Sequence, residues 1–263
     1  AQQNYAEALG DFKQAIALEP ALAQAHCNLG NVQQELIRFE EALICFDRAI
    51  ELKPDYADAY FNRANLQVLM NKPDKAITDF DQALLIHPED QDFKYNKAAA
   101  LLLNGAYEQA WNLHESRWRR MSTKHKHRQF DLPQWFGNES IHGKTILIHA
   151  EQGLGDTLQF IRYVPMVAAL GATVILEVQA PLLSLFEKMQ GISVLLKKGD
   201  PLPPFDLHCP MMSLPLAFKT TLDTVPACPQ FVIPEAKTQF WANKLGLKTK
   251  PRVGLAWRSG FHP

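Results

Sequence analysis

Between His149 and Pro165 the chain reads HAEQGLGDTLQFIRYVP. Four polar residues, His149, Glu151, Gln152 and Asp156, surround a glycine pair, Gly153 and Gly155, and Gln159 and Arg162 follow a turn or so later. Glycines let a chain bend sharply and let another molecule approach its backbone. A carboxylate such as Asp156 at the start of a helix suits an N-cap. Side chains at the carboxyl end of a strand reach the crevice where open α/β sheets bind ligands. The stretch is therefore a candidate ligand contact, made by backbone and polar groups together.

The flanking residues say what would hold that bend. Residues 145–148 (TILI) form a short β-branched run, as a buried strand requires. Leu158, Ile161, Val164, Val167 and Ala168 recur at helical spacing until Gly171. Further strands are predicted over 173–178, 193–197, 205–209, 230–233 and 252–257, and helices over 181–189, 211–218 and 235–245. Strand and helix alternate, which predicts a mostly parallel, doubly wound sheet. The glycine turn lacks the third glycine of a dinucleotide fingerprint, since Leu158 stands there, and no Walker lysine follows. An NAD or ATP site is not supported. His208 and Cys209 are adjacent, a poor geometry for one metal, and no other set of ligands has zinc spacing, so no metal is expected. Asp200 and Asp206 flank a Pro-rich loop, 199–210, that would rim the crevice or connect the surface.

Composition narrows the class. The chain has 263 residues, enough for two domains, and a formal charge of −1, so no global field points to nucleic acid or a membrane. Four cysteines, none in a CxxC pair, suggest a reduced, cytoplasmic setting. No apolar run is long enough to span a bilayer, and no signal peptide is visible. The chain starts without Met inside a repeat and stops after a fresh strand, so a fragment of a longer protein is expected.

The first half repeats itself. Ala8, Ala42, Ala76 and Ala110 lie 34 residues apart, as do Phe12, Phe46 and Phe80, with His114 in the fourth place. Pro20, Pro54 and Pro88 share a phase, and so do Tyr5, Phe39 and Tyr107, with Pro73 substituting once. Small alanines let paired helices approach, and the aromatic fills the gap between neighbours. Residues 1–120 thus resemble an array of about three and a half tetratricopeptide repeats whose first unit lacks its first helix. Asn28, Asn62 and Asn96 recur once per unit, and Asn31 and Asn65 follow one turn later. An amide donates and accepts at once, which suits the backbone of an extended peptide. The resemblance implies that these asparagines line the concave groove and bind a protein or peptide.

Residues 117–128 (RWRRMSTKHKHR) form a basic run. It is expected to be a solvated helix end and linker; a nucleic-acid contact is the lesser reading. Trp111 and Trp118 are expected to cover the end of the array, as any solenoid's core needs. Phe130, Pro133, Trp135 and Phe136 are expected to dock the first strand against it.

HAEQGLGDTLQFIRYVP, TVILEV, DPLPPFDLHCPMMSLP and PRVGLAW, taken together, resemble the region after the repeats in a bacterial group with a glycosyltransferase-like carboxyl half. More distantly, the strand–Gly-Asp–helix unit is similar to the start of heptosyltransferases, which have the two-lobed GT-B fold. The implied fold class is α plus α/β: the array over 1–120, a basic and aromatic linker over 121–143, a Rossmann-like acceptor-side domain over 144–250, and over 251–263 the start of an absent donor-binding lobe. The resemblance implies that Asp156 acts as general base on an acceptor hydroxyl, with Glu151 the second candidate. The proline that follows Gly-Asp in that family comes later here, at Pro165. Gln152, Gly153, Gly155, His149 and Arg162 would contact the acceptor. The donor would be a nucleotide sugar and the acceptor a glycan or protein; this chain alone is expected to be inactive, with no cofactor of its own. The other reading is a non-catalytic interaction scaffold with a silent α/β docking domain.

Overall fold

The computed structural model describes residues 2–120, 128–232 and 235–246. Seven helices form the first half: α1 (Gln2–Leu18), α2 (Ala23–Glu35), α3 (Phe39–Leu52), α4 (Ala57–Leu69), α5 (Pro73–Ile86), α6 (Gln91–Leu103) and α7 (Tyr107–His114), the last running into a 3-10 turn, Glu115–Trp118. α1 is the second helix of an incomplete unit, and α2/α3, α4/α5 and α6/α7 make the next three. The periodic alanines and aromatics do the work their spacing suggests: Ala42, Phe46, Ala76, Phe80 and Ala110 are fully buried. Within each pair the chain turns through the left-handed region at Ile37, Asn71 and Gly105, again one period apart. Glycine and asparagine adopt that conformation readily, whereas a β-branched isoleucine is strained in it. Arg63–Asp47 and Lys97–Asp81 are one ion pair repeated a period later.

The second half is a parallel sheet of order β3-β2-β1-β4, built from β1 (Thr145–His149), β2 (Thr173–Val178), β3 (Val194–Lys197) and β4 (Leu207–Pro210). Ile146, Leu147 and Ile148 of β1 are wholly buried, as a central parallel strand covered on both faces must be. Helices α8 (Leu154–Phe160) and α9 (Val164–Ala169) connect β1 to β2, α10 (Leu183–Phe186) connects β2 to β3, and α11 (Leu214–Ala217) and α12 (Glu235–Leu245) follow β4. Successive strands β2 and β3 lie on one side of β1, while β4 lies on the other. The strand order therefore reverses between β1 and β4.

Several boundaries differ from the sequence expectations. α8 starts at Leu154 with Gly153 as N-cap, so Asp156 stands in the first turn. The helix then breaks into a 3-10 turn at Ile161–Tyr163 ahead of Pro165, which has no N–H to continue the ladder. α10 is one short turn, ending at Phe186. β4 is shifted to Leu207–Pro210 because Asp206 is used at the strand's start, its carboxylate accepting from Thr145 N at 2.7 Å. Residues 230–232 form no strand. The strand expected over 252–257 lies outside the described residues, as does most of the basic run, 121–127. Trp135 N donates to His208 O at 2.8 Å and His208 N to Pro133 O at 3.1 Å, so the aromatic linker extends the sheet beside β4 rather than docking β1. Trp135 enters the sheet's core, while Phe136 is half exposed. No described helix is long and apolar enough to cross a membrane.

Candidate functional site

The reversal between β1 and β4 is where an open α/β sheet offers a crevice. Here the end of the repeat array reaches it. Arg117, at the end of the last repeat helix, reaches in and donates from Nε to Glu151 Oε2 at 2.9 Å and from Nη2 to Glu151 Oε1 at 3.1 Å. Its Nη1 meets Glu115 at 2.5 Å and its Nη2 meets Ser213 Oγ at 2.7 Å. Met212 N donates to Glu151 Oε1 at 3.0 Å, and Ser213 Oγ to Glu115 Oε1 at 2.8 Å. The Arg117 and Glu151 side chains are each 2% exposed. Burial pushes the Glu151 carboxyl up, against the pull of Arg117 and the Met212 amide. Close by, the Trp111 indole donates to Thr220 O at 2.8 Å. Array and sheet are thus joined by a buried, bidentate ion pair and an anchored indole.

This joint decides what Glu151 can do. A general base must meet the hydroxyl it deprotonates; Glu151 is instead enclosed and committed to Arg117. Asp156 is more open, but its carboxylate accepts from Gly153 N at 2.9 Å, the acidic half of a capping box. Gln179 holds the turn from β2, donating to Gln152 O at 2.8 Å and accepting from Thr157 Oγ1 at 2.9 Å. Gln152, Gly153 and Gly155 are exposed. His149 is buried at the end of β1, its Nε2 3.4 Å from His208 Nδ1 and its ring against Phe130. Arg162 donates to Gln159 O at 2.8 Å and Pro226 O at 3.1 Å, and so braces the chain after α11. Of the seven residues marked around the bend, the glycines and Gln152 present themselves to solvent, His149, Glu151 and Arg162 hold structure, and Asp156, partly exposed, bonds the turn through Gly153 N. Sequence reasoning missed Arg117. Its signal was position: it lies between Trp111 and Trp118, on the helix end rather than in the linker.

Two cavities meet at this joint. One, about 450 Å³, is lined by Tyr95, Arg117, Trp118, Arg120, Glu151, Gln152 and Gly153. The other, about 560 Å³, lies along the array and is lined by Asn28, Asn31, Asn62 and Asn96 with Gln24, Asp58, Asp90, Asp92, Phe61, Phe93 and Arg120 among others. Four of the five marked asparagines share this groove; Asn65, half-buried, is not part of its lining. Asn62 Nδ2 lies 3.4 Å from Cys27 Sγ, and Phe61 stacks on Phe93 with centroids 4.7 Å apart. Arg120 belongs to both cavities. Among the described residues, no cluster of three or more His, Cys, Asp or Glu is placed to hold a metal.

His114 holds the place that Phe12, Phe46 and Phe80 occupy in earlier units. It is 6% exposed, and burial, followed by the charge of Arg117, lowers its pKa from 6.5 to about 3. The folded state therefore refuses a proton that the unfolded chain takes up. Its stability contribution is intact above pH 6.5 and is lost progressively as pH falls toward 3. Between pH 7.5 and 5 this amounts to about 2 kcal/mol. Urea unfolding at both values should show His114→Phe losing less stability on acidification than the parent, by about that difference; equal losses would remove His114 as the cause.

Comparison with known proteins agrees with the repeat reading. A tetratricopeptide repeat family model matches residues 23–56 and 57–90, and a second TPR repeat model matches 1–36. The first half therefore carries tetratricopeptide repeats, followed by a small parallel four-stranded sheet. No curated protein matches the chain. Similar solved structures include MamA, 23% identical, covering 49% of this chain and 70% of that one at a TM-score of 0.41. YrrB, described as a TPR protein with an unusual peptide-binding site, is 24% identical over 43% of this chain and 58% of its own, at 0.41. The first TPR of Spaghetti (RPAP3), solved with the HSP90 peptide SRMEEVD, is 20% identical over 38% of this chain and 80% of its own, at 0.37.

Proposed function

We propose that this chain is a protein-interaction module whose repeat groove takes an extended protein segment and whose rigid joint presents that segment to the turn after β1. The observation that carries the reading is the shared Arg120: the groove lined by the asparagines and the cavity at Gln152–Gly153 adjoin at that side chain. A peptide leaving the groove past α6 reaches the exposed glycine turn next. The amide ladder supplies the binding chemistry. Each asparagine offers a donor and an acceptor to a peptide backbone, in register with the repeat rather than with any one sequence. A sugar-transfer site at the bend draws less support from the geometry. Of its two carboxylates, Glu151 is locked in the joint, and Asp156 has one oxygen engaged by Gly153 N in holding the turn.

The test is binding of the purified chain to an array of immobilised random peptides. Asn28→Ala, Asn62→Ala and Asn96→Ala combined should weaken the peptides that bind by about ten-fold or more, since each lost amide removes up to two backbone hydrogen bonds of about 0.5–1.5 kcal/mol. Circular dichroism should show the helices intact. Undiminished binding by the folded triple variant would remove the groove from the account.

A further inference from the structure

We propose that the groove selects extended segments bearing lysine or arginine and turns away acidic ones, an inference that rests on the interaction reading above. The amide ladder is blind to charge. The carboxylates around it are not. Asp58 and Asp92 occupy the same place in successive units, where the preceding unit has Gln24, and Asp90 stands at the start of α6. All three line the groove, and Arg120 is the lining's only cation among the described residues. That guanidinium is already matched: its Nε lies 2.5 Å from Asp92 and its charge sits over the Tyr95 ring, 4.3 Å from the centroid. Asp90 accepts from Asp92 N and Phe93 N, which fixes its carboxylate at the helix start. Asp58 is exposed. Among the described residues, three carboxylates against one guanidinium make the lining negative, although the chain as a whole carries only −1.

Geometry strengthens the effect. A concave wall of low dielectric focuses the field of its charges, whereas charges on an open surface spread theirs into water. Phe61, half-buried in the lining and backed by the buried ring of Phe93, offers an apolar surface for a long aliphatic stem and a ring for the cation at its tip. Lysine and arginine combine that stem and that charge. A glutamate-rich segment would set its charge against Asp58 and Asp90 and leave the Phe61 ring uncovered.

The experiment uses fluorescein-labelled peptides of alternating serine and lysine, serine and glutamine, or serine and glutamate, titrated against the chain by fluorescence anisotropy. At a salt concentration of about 50 mM the lysine peptide should bind about ten-fold tighter than the glutamate peptide, with glutamine between them, and added salt should narrow the gap. Asp58→Asn should reduce the preference about three-fold. Glu40→Gln, at an exposed carboxylate on α3, should leave it unchanged and so separates a groove effect from the protein's overall charge. Equal affinity for the three peptides, or a preference that Asp58→Asn leaves intact, would overturn the proposal. If the glutamine peptide binds through the asparagines while the lysine and glutamate peptides bind alike, the groove reading stands and the charge selection falls. If none of the three binds, both fall.

Discussion

Arg117→Met is expected to destabilise the protein by about 3–5 kcal/mol, the usual consequence of removing one partner from a buried ion pair. The substitution keeps most of the side chain's volume and apolar stem, so packing is only a minor part of the loss. What remains is Glu151, its side chain almost wholly buried, with the Met212 amide as its surviving hydrogen-bond donor, and Glu115 beside it. Two carboxylates close together in a site of low polarity cannot both stay ionised without a counter-charge. Because Arg117 belongs to the array and Glu151 to β1's end, the variant should also weaken the link between the halves. Urea unfolding followed by far-UV circular dichroism, which reports mainly the helices, and by tryptophan fluorescence, to which Trp111 and Trp118 at the joint and Trp135 in the sheet's core contribute, should separate into distinct transitions where the parent's coincide. Adding Glu151→Gln to Arg117→Met should restore a large part of the stability, because the amide oxygen still accepts from Met212 and no charge is stranded. A loss below about 1 kcal/mol, the range of exposed pairs, with coincident transitions would show that the joint does not depend on this pair.

Arg117 also marks the limit of what the sequence tells. Charge runs are usually solvated, and RWRRMSTKHKHR reads as one; its first arginine differs from the next only in lying between Trp111 and Trp118, which does not reveal its partner. Its burial is decided by Glu151, which lies 34 positions later and reaches it only because the chain re-enters the sheet at β1. The same holds for Glu151 itself, polar at a strand's carboxyl end and therefore a natural ligand-contact candidate until a cation from another element covers it. By contrast, the repeat units were legible because one packing problem recurs at fixed spacing: small residue, aromatic, stop. The two central strands, β1 and β2, were legible from their apolar runs, since a strand buried on both faces has little freedom in composition. Boundaries were less so. The helix after the turn begins at Leu154 with Gly153 as its N-cap, and the carboxylate three positions further on, which reads as an N-cap in sequence, instead reaches back to accept from Gly153 N. The asparagines illustrate an intermediate case. Their period placed them on one face, but that Asn62 also meets the Cys27 thiol, and that Asn65 stays outside the groove lining, depend on how far each helix is rotated against the next.

Phe46→Ala should remove a comparable amount of stability, about 3–5 kcal/mol, through a different mechanism. The ring is wholly buried between α2, α3 and α4, in a cluster with Cys27, Ala42, Ala49, Ala59 and Leu66. A solenoid has no other core to share the loss, because each unit packs only on its neighbours. The cavity also has a partner that makes the mechanism checkable. A methyl group at Gly30 would lie 2.6 Å from the Phe46 ring, so glycine is what lets the ring seat where it does. One period on, Ala64 and Phe80 occupy the corresponding places and are both fully buried, which shows that the repeat accommodates the methyl when the ring is seated for it. In the parent, Gly30→Ala gains helix propensity but must displace Phe46. In the Phe46→Ala background the ring is gone, the methyl enters the vacated space, and Gly30→Ala should return about 1 kcal/mol from propensity alone. Urea denaturation of the four proteins in the cycle measures this directly: a favourable coupling of about 1 kcal/mol or more is expected for residues in contact. If Gly30→Ala has the same effect with and without the ring, the contact does not set the packing of this unit, and the large loss on Phe46→Ala must come from the ring's other neighbours.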